Sequence, residues 1–126
     1  MTRRDDLQNI RKMLLSRRHD LSTAQKGMST ELEALKDADR DPEYEETAQV
    51  AQAEYTLTTM HDSHQREIEQ VDAALERLDQ GSYGLCVDCE IDIPFDRLMA
   101  VPYSLRCADC ATAREARMSR HSPATM

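Results

Sequence analysis

Between residues 3 and 79 the chain contains one glycine, Gly27, and one proline, Pro42. A sandwich or barrel needs turn residues about every 8–12 positions, so an all-β architecture is excluded. The stretch instead carries apolar residues at a seven-residue period. Leu7, Leu14, Leu21, Met28 and Leu35 form one line, with Ile10, Arg17, Ala24, Glu31 and Ala38 as a weaker companion. A second set repeats at Val50, Leu57, His64, Val71 and Leu78. Ala53, Met60, Glu67 and Ala74 run beside it, with Ile68 and Leu75 adjacent. Sustained heptads mark helices paired along a narrow seam. The pattern predicts one helix over about 3–38 and a second over about 42–79, each arm roughly 50 Å long. Gly27 costs the first helix about 1 kcal/mol against Ala and marks a soft point.

The break between the two helices is Asp37-Ala-Asp-Arg-Asp-Pro42. The residue before a proline disfavours the α region, which stops the first helix. Asp41 can cap the second, with Pro42 at its first position. Glu43, Glu45 and Glu46 then fall in the first turn, where the helix dipole favours acids. Residues 1–80 thus read as an antiparallel coiled-coil hairpin with an acidic tip near 37–48.

Composition narrows the function. With 126 residues, one Phe and no Trp, the chain has too little large apolar volume for a deep globular core. Its net charge of −8 is repelled by phosphate backbones, which counts against general nucleic-acid binding. No run of about 18 apolar residues is present, and no apolar stretch follows the basic pair Arg3-Arg4. The expectation is a cytoplasmic protein with neither a membrane span nor a secretory signal.

All four cysteines lie in one short segment. Cys86-Val-Asp-Cys89 is followed by Cys107-Ala-Asp-Cys110. Zinc takes four soft ligands at tetrahedral corners, and a two-residue spacer lets one tight turn supply two thiolates. Two such turns close the shell and leave no position for water, so one structural zinc ion is expected. The competing reading is a pair of redox-active or disulfide-forming dithiols. It lacks the βαβ context of a thioredoxin-like motif. Gly81 is placed to end the second helix. Residues 81–119 form the zinc module with a further helix over about 108–119, bearing Arg114, Arg117 and Arg120 along one side. Residues 120–126 read as a flexible tail.

The hairpin leading into Tyr83-Gly-x-Cys86-x-x-Cys89 is followed by Ile93-Pro-x-x-Arg97-Leu-x-Ala100-x-Pro102 and Cys107-x-x-Cys110. Together they resemble the DksA/TraR four-cysteine zinc-finger family. The resemblance implies a bacterial transcription regulator that binds RNA polymerase and not promoter DNA. The zinc module would hold the outer rim. The hairpin would enter the secondary channel and bring its tip near the active site, altering open-complex stability. The family tip motif Asp-x-x-Asp-x-Ala falls on Glu43, Glu46 and Ala48, with Glu replacing Asp at both acidic positions. The bland alternative is that Glu43 and Glu46 only stabilise a helix N-terminus.

Full-length DksA proteins help bind the polyanion ppGpp through basic residues. The matching positions here are Gln70, Val101 and Ala111, none cationic. A polyanion needs charge-assisted partners, so the resemblance implies a factor that acts without this ppGpp site, as TraR-like members do. Arg97, Arg114 and Arg117 are candidate polymerase contacts, against the alternative of surface ion pairs and a solvated helix face. His61 and His64 are three apart on a helix, but no further ligand is fixed beside them, so His64 is read as a polar seam position. The chain is expected to be monomeric and not an enzyme, since no nucleophile set, phosphate loop or open metal site is visible. A DNA-binding zinc finger and a zinc–thiol redox sensor remain as alternatives. The first would need a basic recognition helix, and the second would release zinc on mild oxidation.

Overall fold

Two long helices and two short ones make up the described part of the chain. The computed structural model describes residues 2–39 and 48–121, without the side chains of Ala38, Asp39, Arg120 and His121. Helix α1 spans Arg3–Asp39, α2 Ala48–Gln80, α3 Phe95–Ala100 and α4 Ala108–His121. Among the described residues the one strand-like feature is an antiparallel bridge between Leu85 and Asp92. The expected cap at Asp41, the proline at position 42 and the acids at 43, 45 and 46 lie outside the described residues.

Helix α1 starts on a reciprocal cap. The Asp5 amide donates to the Thr2 hydroxyl oxygen at 3.2 Å, and the Thr2 amide donates back to the Asp5 carboxylate at 3.4 Å. Two first-turn donors that lack intrahelical partners are satisfied in this way. Helix α2 ends as Gly81 predicts. Gly81 has φ +78, its amide donates to the Leu78 carbonyl, and the Ser82 amide donates to the Arg77 carbonyl. This is the double hydrogen bond of a Schellman stop.

The chain divides into two compact units. One lies within Met13–Ala73, and the other joins the chain up to Lys12 with the chain from Ala74 onward. In the first unit α1 and α2 run antiparallel. Arg18 bonds Asp72 at 2.5 Å, and seven residues later along α1, Gln25 donates to Gln65 at 2.7 Å. Arg17 grips the Glu67 carboxylate through Nε and Nη2 at 2.8–3.1 Å. Exposed pairs of this kind contribute about 0–1 kcal/mol each, so they set register more than stability. The apolar content of this unit is thin: Leu14, Leu21, Ile68 and Val71 are its buried hydrophobic side chains among the described residues.

The main lines of the heptads face inward, but the companion lines need correction. Ile10 is buried, whereas Arg17, Ala24 and Glu31 are exposed or only partly covered; Gln25 and Leu32 share the inward positions. In α2, Met60 is 45% exposed and His61 turns inward in its place. With 3.6 residues per turn, seam positions are reached by alternating steps of three and four. In a helix of 3.6 residues per turn every line of period seven drifts by about 20° per heptad, so the inward companion in α1 changes from three positions after the main line, at Ile10, to four positions after it, at Gln25 and Leu32. His64 is half-buried on the seam, as its heptad position predicts.

The second unit holds the denser core. Ile10, Ala74, Tyr83, Cys86, Ile93, Leu98 and Cys107 are all buried there. Arg11 of α1 pairs with Asp79 of α2 at 2.6 Å within the same unit. Helix α3, absent from the expectations above, contributes Leu98 to this core, while α4 is exposed over 112–119.

Candidate metal centre

The two Cys-x-x-Cys segments fold into paired turns. In the first, the Cys86 amide donates to the Ile91 carbonyl and the Glu90 amide donates to the Cys86 carbonyl, both at 2.9 Å. Glu90 adopts φ +63 to close this turn, a left-handed conformation that L residues enter at some cost. The Leu85–Asp92 bridge lies just outside it, and the Ile93 amide donates to the Gly84 carbonyl at 2.7 Å. Cys107 immediately precedes α4 and Cys110 lies in its first turn. The second pair is thus presented by a helix N-terminus, whose positive end favours thiolates.

The turns are fastened to one another. The Val87 amide donates to the Leu105 carbonyl at 2.9 Å, and Arg106 Nε donates to Asp88 at 2.8 Å. The Arg106 carbonyl accepts from Arg97 Nε at 3.1 Å and from the Ser104 hydroxyl at 2.9 Å. Sequence reasoning misses Asp88 and Arg106. Their signal is an acid inside the first Cys-x-x-Cys and a base directly before the second.

The ligand atoms of Cys86, Cys89, Cys107 and Cys110 all lie within 4.8 Å of one another, and none is disulfide-bonded. Cys89 and Cys107 sulfurs are 3.8 Å apart. A tetrahedral zinc with bonds of about 2.3 Å separates its sulfurs by about 3.8 Å, whereas a disulfide would require about 2.05 Å. Geometry and donor softness therefore fit a single zinc ion held by all four thiolates. Such a shell is closed and serves folding rather than catalysis.

The thiols are electrostatically unequal. Amides, first that of Cys89 and then those of Cys107 and Asp88, hold the Cys86 thiol down at about 6, against the effect of burial. At Cys89 the Ile91 amide pulls downward, but burial and the Cys86 and Cys107 thiols leave it raised overall. Cys110 is pushed well above the ordinary thiol range by Cys107, Cys86 and Cys89. Four clustered thiols resist losing all their protons until a cation compensates the charge, and zinc supplies that charge when bound.

The other candidates are dispersed. Arg97 lies in α3 and is bonded to the Arg106 carbonyl, a part-buried contact. Arg114 and Arg117 lie in α4 and are exposed. Arg97 and Arg114 border a hollow of about 310 Å³ shared with Tyr103, Leu105, Ala111 and Met118. Ala48 is the exposed first residue of α2. Glu43 and Glu46 lie outside the described residues. Gln70 and Val101 are exposed and Ala111 is half-buried.

Paired long helices leading into a closed four-thiolate shell define a helical-hairpin protein with a C4 zinc finger. Residues 81–116 match the prokaryotic dksA/traR C4-type zinc finger. The transcription factor DksA2 from Pseudomonas aeruginosa has a similar structure, with a TM-score of 0.73 and 26% identity over 93% of this chain and 88% of that one. The DnaK suppressor protein from Agrobacterium tumefaciens is 32% identical over 84% of this chain and 91% of that one, with a TM-score of 0.51. An uncharacterised protein of Aquifex aeolicus is 31% identical over 81 residues, which cover 64% of this chain. The match spans 56% of the Aquifex protein's length. The chain belongs to the DksA/TraR family.

Proposed function

We propose that this chain is a non-enzymatic, cytoplasmic transcription regulator that binds bacterial RNA polymerase through its secondary channel. The observation that carries this reading is the fusion of a heptad helix pair to the C4 module, over nearly the whole length of a transcription factor's structure. In this reading residues 1–80 form the probing hairpin, and 81–119 the module that grips the channel rim. Glu43, Glu46 and Ala48 form the tip that acts near the active site on open-complex stability. Charge distribution supports the division of labour. From Pro94 onward the chain carries Arg97, Arg106, Arg114, Arg117 and Arg120 against Asp96, Asp109 and Glu115, a local positive excess in a chain of net −8. The hollow lined by Arg97, Arg106 and Arg114, with Glu115 as its one acid, would offer the rim contact a net basic wall beside the apolar Leu105 and Met118.

Action independent of ppGpp is part of the proposal, because Gln70, Val101 and Ala111 offer no cation for a polyanion. The test is binding of the purified protein to bacterial core RNA polymerase, with and without a known secondary-channel factor as competitor. Competed binding is expected. Glu43→Lys with Glu46→Lys should leave that binding nearly intact and abolish the transcriptional effect, and added ppGpp should change neither. Binding that is not competed would end the secondary-channel reading. Normal regulation by the doubly reversed variant would remove the role of the tip.

A further inference from the structure

We infer that Arg3, the first residue of α1, is a positioning residue of the zinc centre, closing the base of the Cys86–Cys89 turn from outside. Arg3 Nη2 donates to the Gly84 carbonyl at 3.0 Å, and the same guanidinium lies 4.0 Å from the Asp92 carboxylate. Gly84 and Asp92 stand on opposite sides of the turn. Gly84 precedes Cys86 by two residues, and Asp92 follows Cys89 by three. The Leu85–Asp92 bridge and the Ile93 amide on the Gly84 carbonyl join these two sides through the backbone. Arg3 therefore reaches across a closure that already exists, hydrogen-bonded to one edge and within ion-pair range of the other.

Three further features fit this role. The guanidinium lies so close to Gly84 that a Cβ there would fall 2.7 Å from Arg3 Nη2. The Thr2–Asp5 cap fixes the backbone immediately around Arg3, so the side chain starts from an ordered turn. Both contacts run through the same nitrogen, Nη2, which donates to Gly84 and sits in ion-pair range of Asp92. Loss of a group hydrogen-bonded directly to a metal ligand costs about 10–100-fold in metal affinity. Arg3 braces the turn that carries the ligands and not the ligands themselves, which places its effect at the lower end of that range.

The experiment is a zinc competition titration against a chromophoric chelator, with far-UV circular dichroism on the same samples. Arg3→Ala is expected to weaken zinc binding about tenfold at unchanged helix content. Arg3→Lys should recover part of the loss through the Gly84 carbonyl. Arg11→Ala breaks the Asp79 pair in the same helix and the same compact unit, and should bind zinc as the parent does. Cobalt substitution gives an independent readout: the ligand-field bands should broaden or shift in Arg3→Ala and move back toward the parent in Arg3→Lys. Parent-like zinc affinity in Arg3→Ala would overturn the inference. So would equal weakening by Arg11→Ala, which would reduce the Arg3 effect to general helix pairing.

Discussion

The Tyr83 hydroxyl donates to the Pro102 carbonyl at 2.7 Å, tying the end of the α2 stop to the segment that follows α3. Burial pushes this phenol up to about 12, while the charges of Arg77 and then Arg3 pull against it. A raised acid pKa means that the folded state keeps a proton that the unfolded chain releases. The contribution of Tyr83 is therefore complete below pH 10 and is lost as pH climbs from about 10 to 12. Tyrosinate absorbance should show one of the four tyrosines ionising late in the native protein. Tyr83→Phe should remove that late step and cost about 1 kcal/mol through the unpaired carbonyl.

Removing zinc should affect the two compact units differently. Two of the side chains buried in the module, Cys86 and Cys107, are ligands themselves, so ligation supplies much of its folding free energy. Chelation is expected to strip amide protection from Ile93 and Leu98, while amides around Leu14 and Val71 exchange at nearly their former rates. Elemental analysis should give one zinc per chain. A metal-free protein that keeps protection at Ile93 would contradict the structural role. Because the thiols must lose protons to bind, apparent zinc affinity should fall as pH is lowered. Cys86, held at about 6, should be the last ligand to be reprotonated in the absence of metal.

Leu14 and Leu15 are neighbours with opposite fates. Leu14 is 1% exposed and Leu15 50%. Leu14→Ala should cost about 2–5 kcal/mol, because it removes transfer free energy and leaves a cavity in a thin seam. Leu15→Ala should stay within about 0.5 kcal/mol. Chemical denaturation of both variants checks the facing of α1 directly, and similar losses would mean that the seam runs elsewhere.

These contrasts show what is legible in the chain. Leu7 through Leu35 and Val50 through Leu78 carry the helix pair, because a period of seven suffices to mark a shared seam. The four cysteines carry the metal centre, because spacing and ligand softness are local properties. The companion lines go astray at Ala24 and Met60, since a fixed offset ignores the drift between 3.6 and 3.5 residues per turn. Helix α3 is hidden because its six residues, Phe95–Ala100, are too few to display a period. The Arg3–Gly84 and Arg106–Asp88 contacts join residues 81 and 18 positions apart. No pattern within one segment reports on such pairings; only the closed fold brings them together.

The three glycines should respond to alanine in three ways. Gly27 lies mid-helix, where an added methyl meets nothing within 4 Å, so Gly27→Ala should stabilise by about 1 kcal/mol. Gly81 has equal room but φ +78, so Gly81→Ala should cost about 1–2 kcal/mol from backbone strain alone. Gly84 combines φ +82 with the Arg3 guanidinium 2.7 Å and the Leu98 methyl 3.4 Å from the new carbon. Its substitution should therefore cost more than that of Gly81. A double-mutant cycle separates the two parts. In an Arg3→Ala background the 2.7 Å clash disappears and only the Leu98 contact at 3.4 Å remains, so Gly84→Ala should approach the cost of Gly81→Ala. Strict additivity of Arg3→Ala and Gly84→Ala would show that the guanidinium moves aside freely and that backbone strain alone sets the cost at Gly84.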